Sequence, residues 1–137
     1  MDLPIELDKV EQFEKALLTL PQVQIPTEHL VHGGMYARTV FVPAGTYSVG
    51  ATLNCDTISI VMGTVELVTD NGTVIIEGFN VIPANAGIKR AGRFLTDTYW
   101  CTVMAVPESV TTPAAAEEFM TDDFNRLING LKRLEST

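Results

Sequence analysis

The sequence predicts an all-β domain, an antiparallel sandwich or barrel, with a helical segment at each end. The central region, residues 35–106, consists of short runs rich in Val, Ile, Thr and Tyr that are separated by Gly, Pro, Asn and Asp. The runs recur at the spacing of about 8–12 residues that favours antiparallel strands over βαβ units. The two flanking regions instead carry apolar residues at helical spacing.

Length and charge exclude several classes of function. The 137 residues are the size of one domain, and 17 acidic against 9 basic residues give a net charge of −8. This balance argues against binding to the phosphates of nucleic acid and to anionic lipid. No apolar run is long enough for a membrane span and the N-terminus does not resemble a signal peptide, so we expect a soluble, non-secreted protein. Cys55 and Cys101 suit a reducing compartment.

The first element is a helix over residues 8–20. Asp8 and Glu11 form a capping-box pattern, and Pro21 ends the helix. Its apolar stripe consists of Val10, Phe13, Leu17 and Leu20. The following segment, up to residue 34, contains two prolines and Gly33-Gly34, which predicts an extended connector.

Eight strands are predicted next. Asn71-Gly72 predicts a tight hairpin, because these residue types tolerate the positive φ values of such a turn. Much of the sheet is apolar on both faces, which is typical of a sheet covered by helices or by another subunit. The predicted strands lie near residues 35–42, 46–53, 57–62, 64–69, 73–77, 79–83, 87–92 and 97–105.

The C-terminal region is again helical. Thr112-Pro113 predicts a helix start, and Thr121-Asp122-Asp123 predicts a second cap. An apolar stripe then favours a homo-oligomer, with a dimer first. The candidate interface residues are Phe124, Leu127, Ile128 and Leu131. The chain therefore divides into the helix and connector at 1–34, the β region at 35–107 and the helical segment at 108–137, all within one domain.

Four short motifs carry a resemblance to a known family. They are Pro43-Ala44-Gly45-Thr46, Ile82-Pro83-Ala84, Lys89-Arg90-Ala91-Gly92 and Asp97-Thr98. With their surroundings, about residues 29–108, they resemble small cupin-like (RmlC-like) proteins of tailed bacteriophages and prophages. The resemblance implies a cupin-type double-stranded β-helix, a jelly roll of about eight strands. It implies no single function, because jelly rolls host enzymes, binders and capsid parts alike.

The resemblance also bears on metal binding. Metal-binding cupins place two histidines on one strand and a third on a later strand, all reaching into the barrel. The matching positions here are Leu53 and Thr57, or Ala51 and Leu53 in a second alignment, with Arg90 as the later position. We therefore expect no metal site of the usual kind and no cofactor. Other ligands remain open, namely Asn54, Cys55, Asp56 and Asp97, and the weak His29-x-x-His32 pattern.

A positive cluster and nearby aromatic residues are the candidate ligand site. Three cations, Lys89, Arg90 and Arg93, lie within one stretch of five residues, although the chain as a whole is acidic. Arg90 could clamp an anion at the barrel mouth. Alternation predicts that Arg90 points inward and Lys89 outward. The competing interpretation is an intersubunit or intramolecular salt bridge from this cluster to Asp97, Glu77 or a helix acid. The candidate ligand-binding residues are Lys89, Arg90, Asp97 and Tyr99.

No catalytic residue is predicted, because the two cysteines have no neighbouring base and no nucleophile motif. The sequence favours a non-enzymatic, phage- or prophage-encoded oligomeric protein that is structural or interacts with the host, in the host cytoplasm or on the virion. Its expected partners are a second copy and a virion or host protein. The alternatives are a binder of a small sugar, nucleotide or other anion, and a metal-independent cupin enzyme such as an isomerase.

Overall fold

Nine strands and one helix make up the part of the chain that the computed structural model describes, which is residue 15 and residues 25–50, 52–69, 72–88 and 90–122. The strands are β1 (Thr27–His32), β2 (Met35–Val42), β3 (Tyr47–Val49), β4 (Thr57–Met62), β5 (Val65–Thr69), β6 (Gly72–Ile76), β7 (Phe79–Ala84), β8 (Ala91–Phe94) and β9 (Thr98–Ala105), and the helix is α1 (Pro113–Met120). Apart from Lys15, the predicted N-terminal helix lies outside the described residues.

The strands form two sheets. The five-stranded sheet has the order β1-β2-β9-β4-β7, and the four-stranded sheet has the order β3-β8-β5-β6. All the described pairs are antiparallel, and several neighbours are distant in sequence, for example β2 with β9 and β3 with β8. This topology is a jelly roll, so the predicted all-β fold with a C-terminal helix is confirmed.

The connector before residue 35 contains a strand that the sequence interpretation missed. Strand β1 pairs with β2, with His32 opposite Met35. The two residues between them are Gly33 and Gly34, with φ of 59° and 74°. A two-residue hairpin turn of this kind needs positive φ at both positions, which glycine adopts without strain. The glycine pair therefore builds a hairpin turn, where the sequence predicted an extended connector.

Several predicted strands agree closely with the structure. Strands β2 and β4 occupy the predicted 35–42 and 57–62, and Thr69 pairs with Gly72 at the predicted hairpin. Two predictions were wrong at their boundaries. Strand β3 covers only Tyr47–Val49, and β8 begins at Ala91 and not at residue 87.

The core lies between the two sheets and under the helix. The central cluster consists of Ile25, Val42, Val61, Val65, Leu67 and Phe94. Helix α1 begins at the predicted Thr112-Pro113, where the Thr112 hydroxyl accepts a hydrogen bond from the Ala115 N–H. The helix packs Ala116 and Met120 against Tyr36 and Met104. In the described ranges, no helix has the length and hydropathy needed to cross a membrane.

Candidate functional site

A cavity of about 170 Å³ lies between the sheets. Alternate residues of each strand face inward, so the cavity walls come from both sheets. The lining residues divide into an apolar set and a polar set. The apolar set includes Val40, Val42, Leu67, Phe94 and Trp100, and the polar set is Arg38, Ser48, Thr57, Ser59, Arg90 and Thr102.

The apolar wall is organised by two aromatic rings. Phe94 and Trp100 meet edge to face, with their ring centroids 6.4 Å apart. The indole N–H of Trp100 donates a hydrogen bond of 3.2 Å to the Ser59 hydroxyl, which is buried. This bond fixes the indole plane and satisfies its one polar atom. The cavity therefore has a rigid apolar surface suited to a flat or aliphatic ligand.

Among the described residues, Arg90 is the cation of this cavity that has no carboxylate partner. The inward positions of β8 and the residue before it are Arg90, Gly92 and Phe94, and the side chain lines the cavity, where alternation predicts it. Its guanidinium donates to the Pro83 carbonyl at 3.0 Å. Burial removes water from the guanidinium and lowers the pKa of Arg90. The charge is thus partly desolvated, and no described carboxylate neutralises it.

The alternative salt bridge of Arg90 is not formed in the described part of the chain. Asp97 lies in the loop between β8 and β9, where its carboxylate accepts a hydrogen bond from the Ala44 N–H at 2.9 Å. Glu77 is exposed after β6. Within the described ranges, neither Asp97 nor Glu77 forms an ion pair with Arg90.

A second cation, Arg38, lines the same cavity but is neutralised. Its Nε lies 3.4 Å from the Glu117 carboxylate of α1, and both side chains are buried. Sequence reasoning did not single out Arg38. The available signal was its place on β2, where Tyr36, Arg38, Val40 and Val42 share the inward face. Because Glu117 balances Arg38, the net positive charge of the described lining comes from Arg90.

The structure does not bring the other predicted ligand residues to the cavity. Tyr99 is 55% exposed and packs on Phe41 with ring centroids 5.0 Å apart, on the outer face of the sheet. It directly precedes the inward Trp100, and successive residues of a strand face opposite sides. The Asp97 carboxylate instead accepts the hydrogen bond from the Ala44 N–H. Lys89, Phe124, Leu127, Ile128 and Leu131 lie outside the described residues, so their roles stay predictions.

The described lining of the cavity contains no His, Cys, Asp or Glu. Among the described residues, no three His, Cys, Asp or Glu side chains are grouped closely enough to hold a metal ion. His29 shares a hydrogen bond of 2.7 Å with the Tyr36 hydroxyl, and His32 lies on the opposite face of the same strand. Leu53, Thr57 and Arg90, which the family resemblance aligns with metal-ligand positions, all line the cavity.

The cysteines lie outside the cavity lining. The Cys55 thiol donates to the Met104 sulfur at 3.7 Å. Burial, and secondarily the charge of Asp56, raise the pKa of Cys55 and so disfavour its thiolate. Cys101 is a free cysteine on the outward side of β9. The pair offers no activated nucleophile facing the cavity.

Two antiparallel sheets around a lined cavity define a double-stranded β-helix protein. Solved structures of cupin proteins share this arrangement. A cupin superfamily protein from Desulfitobacterium hafniense matches with a TM-score of 0.52 and 13% identity, over 64% of this chain and 83% of that one. KdgF from Halomonas sp. matches with a TM-score of 0.52 and 14% identity, over 63% and 83% of the two chains.

An RmlC-like cupin protein from Desulfovibrio desulfuricans matches with a TM-score of 0.50 and 17% identity, over 60% of this chain and 82% of its own. No protein-family model matches the sequence, and no curated protein matches it significantly. At these identities the likeness establishes the fold alone. The chain is thus a cupin-like protein in fold.

Proposed function

We propose that this cupin-fold protein is a non-enzymatic binder of a small organic anion, which it holds in the cavity between its sheets. The observation that carries the proposal is the Arg90 guanidinium, which lines the cavity with one carbonyl partner and no carboxylate partner among the described residues. A partly desolvated cation is stabilised by an anion that replaces its lost hydration. Ligand binding is the event that supplies such an anion.

The cavity volume sets the size of the ligand. An engineered apolar cavity of about 150 Å³ in another protein holds one benzene molecule. The present cavity, of about 170 Å³, therefore suits a ligand body of about one ring. A mononucleotide is several times larger and would have to leave most of its mass outside. This comparison favours a small acid over a nucleotide.

The lining sets the chemistry of the ligand. Trp100 and Phe94 offer apolar and ring surfaces for the body of the ligand. The planar guanidinium of Arg90 suits a carboxylate, because its parallel N–H groups match the two oxygens. Hydroxyls on Ser48, Thr57 and Thr102 would accommodate a hydroxylated ligand such as a sugar acid. We therefore expect a small carboxylate with an apolar or sugar-like body.

Calorimetric titration of the full chain with benzoate, with galacturonate as a sugar acid and with neutral benzamide tests this proposal. We expect one of the acids to bind and benzamide not to bind. The Arg90→Gln variant should raise the dissociation constant of the acid by about 10-fold or more, the scale of one lost charge-assisted hydrogen bond. The Arg93→Gln variant is the matched control, because Arg93 lies opposite Tyr47 and Glu66 in the strand register and is not part of the cavity lining.

Three outcomes would contradict the proposal. Neither acid binds, benzamide binds as well as benzoate, or Arg90→Gln retains wild-type affinity. A cooperative thermal transition of each variant shows that it is folded. If Arg93→Gln weakens binding as strongly as Arg90→Gln, the effect reflects overall charge and the cavity assignment fails.

A second candidate function is favoured by the phage resemblance of residues 29–108. In it, the protein is phage- or prophage-encoded, acts in the host cytoplasm or on the virion, and works as an oligomeric structural or host-interaction module. Its action would rest on the surface of the protein and would not need Arg90. Infection with phage that carries Arg90→Gln separates the two functions, because only the cavity function would be lost.

A further inference from the structure

We infer that the outer face of the five-stranded sheet is the contact surface between two copies of this chain. This inference concerns a surface on the opposite side of the sheet from the cavity and goes beyond the proposed binding function. We call this surface the outer sheet face. It is formed by the outward residues of β1, β2, β9, β4 and β7.

The outer sheet face is unusually apolar for an exposed surface. Seven large apolar side chains on it are between 51% and 64% exposed. Among the outward positions of these described strands, Glu28 is the one formally charged residue. The seven exposed side chains are Leu30, Met35, Ile58, Met62, Phe79, Val81 and Tyr99.

The strand register makes these residues continuous across the sheet. One row runs from Leu30 through Ala37, Val103 and Ile58 to Pro83, as the pairings of neighbouring strands show. A second row joins Phe41, Tyr99, Met62 and Phe79. Directly opposite residues on one face lie in contact distance. The exposed residues therefore form one patch and not scattered single residues.

The area of the patch agrees with a protein–protein interface. Residues of these types have full accessible areas of about 150–250 Å². At the observed exposures, the seven residues contribute about 800 Å², above the about 300–600 Å² of the largest patch on a typical monomer. A stable interface of standard size buries about 800 Å² on each partner. The outer sheet face is thus large enough, without other contacts, for one side of a stable dimer.

Charge favours a second copy as the occupant. Each chain carries a net charge of −8, so most contacts between two copies would bring carboxylates together. The outer sheet face avoids this repulsion, because it is almost free of charge. A twofold contact also places the same apolar patch on both sides, which matches apolar surface with apolar surface. A basic partner would instead be attracted to the acidic surface elsewhere.

Pairing through the face is also favoured over pairing through the β7 edge of the sheet. Strand β7 is an edge strand and contains Pro83, which has no backbone N–H to donate to a further strand. Proline on an edge strand is a known protection against edge-to-edge pairing. The two copies are therefore expected to stack sheet on sheet, at the spacing of about 10 Å that is usual for packed sheets.

Sedimentation velocity of the full chain, from about 1 to about 100 µM, tests the inference. We expect wild-type protein to be a dimer in this range. Ile58→Glu, at a position 51% exposed on the outer sheet face, should raise the dimer dissociation constant by about 100-fold or more. The matched control is Ile75→Glu. Ile75 is 56% exposed and lies opposite Glu66 on the outward face of the four-stranded sheet. This control should keep the wild-type dissociation constant within about threefold.

Two results would overturn the inference. A wild-type monomer at the highest concentration would show that the outer sheet face is not an interface between two copies. A dimer that resists Ile58→Glu but dissociates on Ile75→Glu would place the interface on the other sheet. If Ile58→Glu lacks a cooperative thermal transition, Val81→Glu replaces it, since Val81 is 56% exposed on the same face.

Discussion

Gly63, which follows β4, lies very close to Thr98, the first residue of β9. Its φ is 145°, and a Cβ built there would clash with the Thr98 hydroxyl and backbone. Thr98 is fully buried and donates to the Thr96 carbonyl at 2.9 Å, so it has no room to move away. Gly45 contrasts with it, because its φ is 86° but a Cβ there would meet open space.

The two glycines should therefore respond differently to the same substitution. Gly45→Ala has only the backbone strain of positive φ to overcome, about 1–2 kcal/mol. Gly63→Ala adds a clash with buried backbone, so we expect it to lower the free energy of unfolding by about 3 kcal/mol or more. Urea denaturation of both variants and the wild type measures the two losses. Equal losses would show that the approach of Thr98 to Gly63 has no energetic weight.

At the scale of elements, helix α1 supports the cavity. Its Glu117 neutralises Arg38, and its Met120 lines the cavity wall. The helix is only eight residues long, Pro113–Met120, so it depends on packing and on its cap more than on helix propensity. The Thr112 hydroxyl supplies that cap by accepting from the Ala115 N–H at 3.2 Å.

Removal of this cap should destabilise the protein by a small, measurable amount. We expect Thr112→Ala to lower the free energy of unfolding by about 1 kcal/mol, the typical cost of losing an N-cap oxygen. Thr111→Ala, one residue earlier and exposed, should change it by less than about 0.5 kcal/mol. Thermal or urea unfolding of the two variants provides the comparison. A loss in Thr111→Ala that matches Thr112→Ala would argue against the capping role.

Some strands could be predicted from the sequence and others could not. Strands β2 and β4 are β-branched and aromatic runs bounded by turn residues, so local sequence determined their boundaries. Strand β1 was missed because its inward residues, Thr27, His29 and Val31, do not form an apolar stripe. The available signal was the Gly33-Gly34 pair, a two-residue turn across which β1 pairs with β2.

In the whole molecule, the two faces of the five-stranded sheet contribute to two different surfaces, the cavity and the outer sheet face. Its inward residues, such as Trp100 and Arg38, line the cavity, and its outward residues, such as Tyr99 and Ile58, form the outer sheet face. Alternation could predict that Arg90 faces inward once its place in the barrel was aligned. It could not decide between Tyr99 and Trp100, because both faces of β9 are apolar and either aromatic suits the interior.

This arrangement predicts that ligand binding and dimer formation are energetically separate. The Ile58 and Arg90 side chains lie on opposite sides of the sheet, and their one shared neighbour is Pro83, which pairs with Ile58 and accepts from Arg90 through its carbonyl. Because the outward face of Pro83 and its carbonyl are separate groups, we expect the two effects to add within about 0.5 kcal/mol. We expect Ile58→Glu to keep the wild-type affinity for the bound acid, and Arg90→Gln to keep the wild-type dimer dissociation constant. The double variant should show both losses at their single-variant sizes.

Titration calorimetry and sedimentation velocity on the wild type, the two single variants and the double variant complete this cycle. Thermal unfolding of each variant checks that the fold is retained. Loss of acid binding in a folded, monomeric Ile58→Glu variant would contradict the separation. It would mean that the partner subunit completes the ligand site, and that dimer formation controls binding through the sheet that the two surfaces share.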